Sequence, residues 1–267
     1  ARATDAGAAG LEDWEAIAEV VRRLEGIPLA IELAASRARL MPPRELARRL
    51  ERGHALLAAP GLPDRHRTLF TAIALSWELL QPDERLALSA CALFEGSFTA
   101  ERAEALVELA LERHGAARRP ALDLLALLRD KSLVRLDETG RLRIYESIRE
   151  LVRRQLDGMG DETARALQAD HRRSFGLLAE RFLAERLFLS AEPRQEVVAE
   201  ARLEAENLCA AYRSARGGPR DARGDRFGIA LAAAIAFLHA APADEADAAL
   251  IRQLERGDLT TSDRAVL

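Results

Sequence analysis

The chain has 267 residues, 49% hydrophobic but only 4% aromatic, with 31% charged and a net charge of −4. That length supports two or three small domains, and cores so poor in aromatics must be built from Leu, Ala, Val and Ile, which favours helices over sheets. Near-balanced charge excludes a general attraction to nucleic acid or to an anionic membrane. A single lysine, Lys131, preceded by Asp130, excludes a P-loop within the chain.

Other classes fall away on residue type. Cys91 and Cys209 lie in apolar helical runs and read as core thiols of a reduced protein, not as a disulfide or metal pair. His54, His66, His114, His171 and His239 show no ligand spacing, and each reads as a surface or loop residue. No signal peptide is visible, and the longest apolar run, Phe227 to Ala241, is too short to span a bilayer. The expectation is a soluble, cytoplasmic protein. The missing initiator methionine suggests an excised fragment. No Ser/His/Asp, Cys/His or metal-ligand set stands in the sequence, so no catalytic residues are assigned and the chain is not expected to be an enzyme.

In chain order, the first helix is expected over about Glu12 to Glu25, with Leu11, Trp14, Ile17, Ala18, Val21 and Leu24 as its apolar stripe. Gly26 supplies a left-handed position that ends it, and Pro28 suits the first turn of the next helix. That helix runs to Met41, where Pro42 and Pro43 stop it. It is apolar around most of its circumference, with Glu32, Ser36 and Arg39 as its polar stripe. Ala58 to Asp64, with Pro60, Gly61 and Pro63, reads as a linker and hinge.

Beyond the linker, Leu69, Ala72, Ile73, Ser76, Trp77 and Leu80 recur at helical spacing. Pro82 opens a further helix, with Asp83 and Glu84 at the positive end of its dipole. Gly96 breaks a helix and Thr99 caps the next. A leucine-dense helix follows Pro120. The pattern then changes to two short strands, "LVRL" and "RLRIY", joined by Asp137-Glu138-Thr139-Gly140. In the second strand Arg141, Arg143 and Tyr145 share one face, and Leu142 and Ile144 the other. The closing helix turns Ile148, Leu151 and Val152 inward, with Glu146, Arg149, Glu150 and Arg153 as a solvated face.

The predicted architecture is therefore mainly α. A helical domain occupies residues 1–60, and a winged-helix domain with a small β-hairpin occupies 64–160. The start of a TPR-like region of antiparallel helices occupies 161–267, interrupted by a Gly-, Pro- and Arg-rich loop over Arg216 to Asp225.

Four segments carry a resemblance in their order: "GIPLAIELAASRARLM", "RHRTLFTAIALSWELLQPDER", "LFEGSFTAERAEA" and "LLALLRDKSLVRL…RLRIYESIRELVRRQL". Together they resemble the bacterial STAND-class, NB-ARC-like signal-transduction NTPases found in LuxR-type and AfsR-type transcriptional regulators. The likeness spans roughly Glu12 to Leu156, and more loosely "LEAENLCAAY" at Leu203 to Tyr212.

The resemblance implies an upstream P-loop domain as partner, ATP or ADP with Mg in the parent protein, no cofactor held by this chain alone, and an inducer at the helical repeats. It places Gly26 and Pro28 at the motif that contacts adenine. It sets Ile144, Tyr145 and Glu146 on a Met-His-Asp triplet near the β-phosphate, so that Tyr145 replaces the histidine. A phenol donates one hydrogen bond and carries no positive charge. Tyr145 either senses phosphate weakly or packs between wing and helix.

The function expected is the regulatory, non-catalytic part of an ATPase switch in a transcriptional regulator. A helical scaffold without switching is the alternative. Direct DNA binding is disfavoured, because Asp123 and Asp130 cancel Arg129 and Lys131 on the helix that would enter the groove, leaving Arg135, Arg141 and Arg143 of the wing.

Overall fold

Prolines open three of the helices, because their fixed φ and missing N–H cost nothing in a first turn. In the computed structural model, which describes residues 11–38, 40–56, 64–115, 119–158, 161–184 and 195–215, these are α2 (Pro28–Arg37), α3 (Pro43–Leu56) and α5 (Pro82–Cys91). The other helices are α1 (Leu11–Arg23), α4 (Asp64–Glu78), α6 (Ala100–Arg113), α7 (Ala121–Asp130), α8 (Glu146–Gly158), α9 (Asp161–Ala184), α10 (Gln195–Leu203) and α11 (Ala205–Ala215). The protein is mainly helical, as its composition requires. The linker at Pro60 to Pro63 and the loop from Arg216 lie outside the described residues.

Between α7 and α8 the chain forms two short antiparallel strands, β1 (Arg135–Leu136) and β2 (Leu142–Arg143), with Arg135 opposite Arg143 and Leu136 opposite Leu142. Gly140 takes φ +77°, and the Asp137 carboxylate accepts from the Thr139 and Arg141 amides, which closes the turn. Phe98 and Leu142 exchange backbone hydrogen bonds of 2.9 and 2.8 Å, so the segment before α6 adds a third rung to the hairpin. Thr99 then caps α6, its Oγ1 accepting from the Arg102 amide at 3.3 Å.

α1 packs on α3, and α3 and α2 pack on α4. α4 also packs on α8, so it belongs to both neighbourhoods. For that reason its burial exceeds the single stripe expected: Thr68, Thr71 and Leu75 are buried together with Ala72, Ile73, Ser76, Trp77 and Leu80. α5, α6 and α7 pack against one another, and α9 lies against α6, α8 and α11.

The apolar stripe expected on α1 is corrected. Leu24 is buried as expected, but its buried companions are Ala16 and Val20, whereas Trp14 and Val21 are exposed at 61% and 41%. Both rows recur at helical spacing. Contact with α3 selects one of them, and periodicity alone does not say which.

Candidate functional site

The joint between α1 and α2 is built by two consecutive left-handed residues, Glu25 at φ +52° and Gly26 at φ +68°. Glycine meets that requirement at little steric cost, and Glu25 does not. The buried Thr68 hydroxyl of α4 donates to the Glu25 carboxylate at 2.9 Å and holds it in place. Ile27 follows with extended backbone as the N-cap of α2, its carbonyl accepting from the Ile31 amide at 3.0 Å. Pro28 sits at the first position of α2 with its ring exposed, and Ala30, Leu33 and Ala34 below it are buried.

Tyr145 lies at the start of α8, which packs on α4. Its carbonyl accepts from the Ile148 and Arg149 amides, both at 3.0 Å, and its half-buried ring lies 4.5 Å from the Arg135 guanidinium carbon. Pro28 and Tyr145 are connected through α4, which packs on both α2 and α8.

A second link runs from the end of α2 to α5 and α7. The Ser36 hydroxyl lies 3.4 Å from the Lys131 carbonyl, and Arg37 donates to the Ser76 carbonyl at 3.4 Å. Arg37 is only 1% exposed, and its Nε and Nη1 have no hydrogen-bond partner. Burial holds its guanidinium below the usual arginine range, an effect that the charge of Glu84 opposes.

Glu84 accepts from Lys131 Nζ at 2.5 Å, from the Gln81 amide at 2.9 Å and from Arg119 at 3.3 Å. Burial alone pushes its carboxyl up. The hydrogen bonds from Lys131 and the Gln81 amide outweigh that, and the net shift is downward. Beside it, the two-pronged bond from Arg119 lowers the Asp83 carboxyl. The lone lysine of the chain thus neutralises a buried carboxylate at the α5–α7 contact.

The arginines of the hairpin are not a free basic surface. Arg141 is buried, with Nε donating to Ser97 Oγ at 2.8 Å and Nη2 to Glu204 at 2.8 Å. Arg143 pairs with Asp137 at 3.3 Å, and Arg135 covers Tyr145. The face shared by Arg141 and Arg143 in the sequence reading is therefore split, because β2 is two residues long and Arg141 precedes it.

Arg149, expected on a solvated face, is buried and donates to the Glu95 carbonyl at 2.7 Å, while Arg153 reaches the Glu95 carboxylate at 3.0 Å. His171 is a further correction: it is a core residue, 3% exposed, beside Phe94 and Phe175. Glu204 and Asn207, both buried, were not singled out from sequence. Nothing in their spacing distinguishes them from other acidic and amide residues on helices.

Among the described residues no group of three or more His, Cys, Asp or Glu could hold a metal ion, and no helix is long and apolar enough to cross a membrane. Cys91 and Cys209 are both buried, and burial pushes the Cys91 thiol up to about 12.

No known family profile matches the chain, and no solved structure matches it. Among curated sequences, the chain is 36% identical over 204 residues to Rv0890c of Mycobacterium tuberculosis and Mb0914c of Mycobacterium bovis, both provisionally named HTH-type transcriptional regulators. That alignment covers 74% of this chain and 22% of each regulator, so the chain spans about a fifth of the length of these relatives. A shorter match, 39% identical over 92 residues, joins 34% of the chain to 23% of Rv0894, an uncharacterized protein of Mycobacterium tuberculosis. The chain is thus similar, over three quarters of its length, to a part of proteins named as transcriptional regulators.

Proposed function

We propose that this chain is the regulatory, non-catalytic part of a STAND-type ATPase switch in a cytoplasmic transcriptional regulator. On this reading α1–α3 form the helical domain, α4 to α8 with the hairpin form a winged helix, and α9–α11 begin a TPR-like array that receives the inducer. The observation that carries it is the arrangement of the Gly26-Ile27-Pro28 joint, with an exposed proline ring opening a helix whose other side is buried against α4. A rigid apolar ring with no N–H to satisfy suits contact with a flat base.

The nucleotide and Mg belong with the P-loop domain of the parent protein. There the phosphates supply most of the charge that distinguishes the two states, and this chain contributes an apolar edge at Pro28. Tyr145 fits a charged phosphate less well, since the positive charge beside its ring belongs to Arg135.

The similarity to regulators named HTH-type favours a second reading, in which the winged helix contacts DNA. The groove-facing candidate, α7, exposes Leu122, Asp123, Ala126, Arg129 and Asp130, which gives no net positive surface. DNA affinity needs several phosphates neutralised at once. The first reading is therefore preferred.

Calorimetry tests it. The isolated chain binds neither ATP nor ADP at micromolar concentration, and the polypeptide extended to include the upstream domain binds ADP more weakly when Pro28→Ala is introduced. Binding of ADP by the isolated chain refutes the assignment. A salt-sensitive electrophoretic shift of DNA by the isolated chain favours the second reading.

A further inference from the structure

The segment from Phe94 to Phe98 receives bonds from several sides. Asn207, fully buried near the start of α11, accepts from the Glu95 and Gly96 amides at 3.0 and 3.3 Å and donates to the Ser97 carbonyl at 2.9 Å. Its amide nitrogen lies 3.0 Å from the Glu204 carboxylate, which is 1% exposed at the junction of α10 and α11. Glu204 in turn receives Arg141, from the residue before β2, at 2.8 Å and Arg102 of α6 at 3.3 Å. Arg141 also donates to the Ser97 hydroxyl and carbonyl.

Two bonded routes therefore join the α10–α11 junction to the hairpin. One runs through Glu204 and Arg141. The other runs through Asn207 to the loop, and from Phe98 to Leu142 by paired backbone bonds. The elements meet closely: a side chain added at Gly96 would come 3.3 Å from the Glu206 Cβ.

We infer that Glu204 and Asn207 form a latch through which the position of α10–α11 is transmitted to the loop at 94–98 and to the hairpin. The network is buried, so each member left without its partner is costly, and the two sides hold or release together. When the latch opens, α11 keeps its seat on α9, with Leu208, Ala211 and Tyr212 as its buried residues. Release is therefore confined to one seam. A partner seated on α10–α11 can change the hairpin by opening that seam, whether or not the parent protein binds nucleotide.

The test is peptide-resolved hydrogen exchange on the whole 267-residue chain. Asn207→Ala should speed exchange at Glu95 to Phe98 and also at Leu142, which it does not touch, by about tenfold to a hundredfold, as expected for loss of a buried hydrogen-bonding partner. Conversely, Arg141→Gln, altered on the hairpin side, should speed exchange at Ala205 to Leu208. Gly96→Val wedges the seam without removing any bonded side chain and should reproduce both effects. Should Asn207→Ala fail to fold, Glu204→Gln keeps the side chain's shape, removes its charge and should loosen both sides together. In every folded variant, protection in α1–α3 stays unchanged. Acceleration confined to the altered element, or spread evenly over the whole chain, overturns the latch.

Discussion

The guanidinium carbon of Arg135 sits 4.5 Å from the centre of the Tyr145 ring, which ties the first strand of the hairpin to the start of α8. The ring is the part of Tyr145 that this contact uses. Tyr145→Phe should therefore leave stability close to wild type, and Tyr145→Leu should lose on the order of 0.5–1 kcal/mol for the cation–π contact. The midpoint of urea unfolding reads the difference. Equal losses in both variants would mean that the hydroxyl, and not the ring face, is what matters.

The Lys131–Glu84 pair makes a larger prediction. Removing one partner leaves the other charge buried, so Lys131→Met should cost about 3–5 kcal/mol. The pair also sets an acid limit. The Glu84 carboxyl is lowered in the native state, so its contribution is present above its unfolded value of 4.5 and is lost as pH falls below that value through the native one. In Lys131→Met, unfolding followed between pH 5 and 3 should fall less steeply than in wild type.

His171 likewise refuses a proton in the native state, although its favoured form is neutral where that of Glu84 is charged, so the sign with pH is the same. Burial, aided by the charges of Arg153 and Arg172, pushes its imidazole down from 6.5 to about 3. Between those values the unfolded chain binds a proton that the native state refuses, so stability present above pH 6.5 is lost as pH falls. The slope from this one group is about 1.4 kcal/mol per pH unit. His171→Phe keeps a ring between Phe94 and Phe175 and removes the unpartnered Nε2. From pH 7 to pH 5 the variant should lose about 2 kcal/mol less than wild type. Parallel pH curves for the two proteins would place the acid sensitivity elsewhere.

Arg37 should be dispensable for stability. Its Nε and Nη1 are buried without partners, while Glu84 keeps Lys131 and Arg119. Replacing a poorly satisfied buried charge by an apolar chain of similar volume is often neutral or gains about 1–4 kcal/mol. Arg37→Met should thus raise the urea midpoint or leave it unchanged, and a clear loss would reveal an interaction with Glu84 stronger than the geometry indicates.

These residues also mark how far the sequence could be read. Pro28, Pro82, the Thr99 cap and the Gly140 turn act locally, and the helices and hairpin they imply are present. The helix expected to run to Met41 instead ends at Arg37, and Pro43, expected as a stop, opens α3. Arg37, Arg141 and Arg149 were not legible as core groups, because arginine on a helix or strand is ordinarily solvated and only a distant carboxylate or carbonyl makes its burial tolerable. Glu204 and Arg141 are 63 positions apart. No local pattern encodes such a pairing. The joint at Gly26 and Pro28 was legible for the same reason that the caps were: its chemistry lies within four consecutive residues.

α4 packs on α2 and α3 and also on α8. It is a party wall, and neither neighbour can be taken down without baring it. A polypeptide shortened to end at residue 60 takes α4 away from α2 and α3, whereas one that starts at residue 64 bares the part of α4 that those helices cover. Dissection of this protein is better made after α8 than on either side of α4, even though composition marks the proline-rich stretch that precedes α4 as the natural cut.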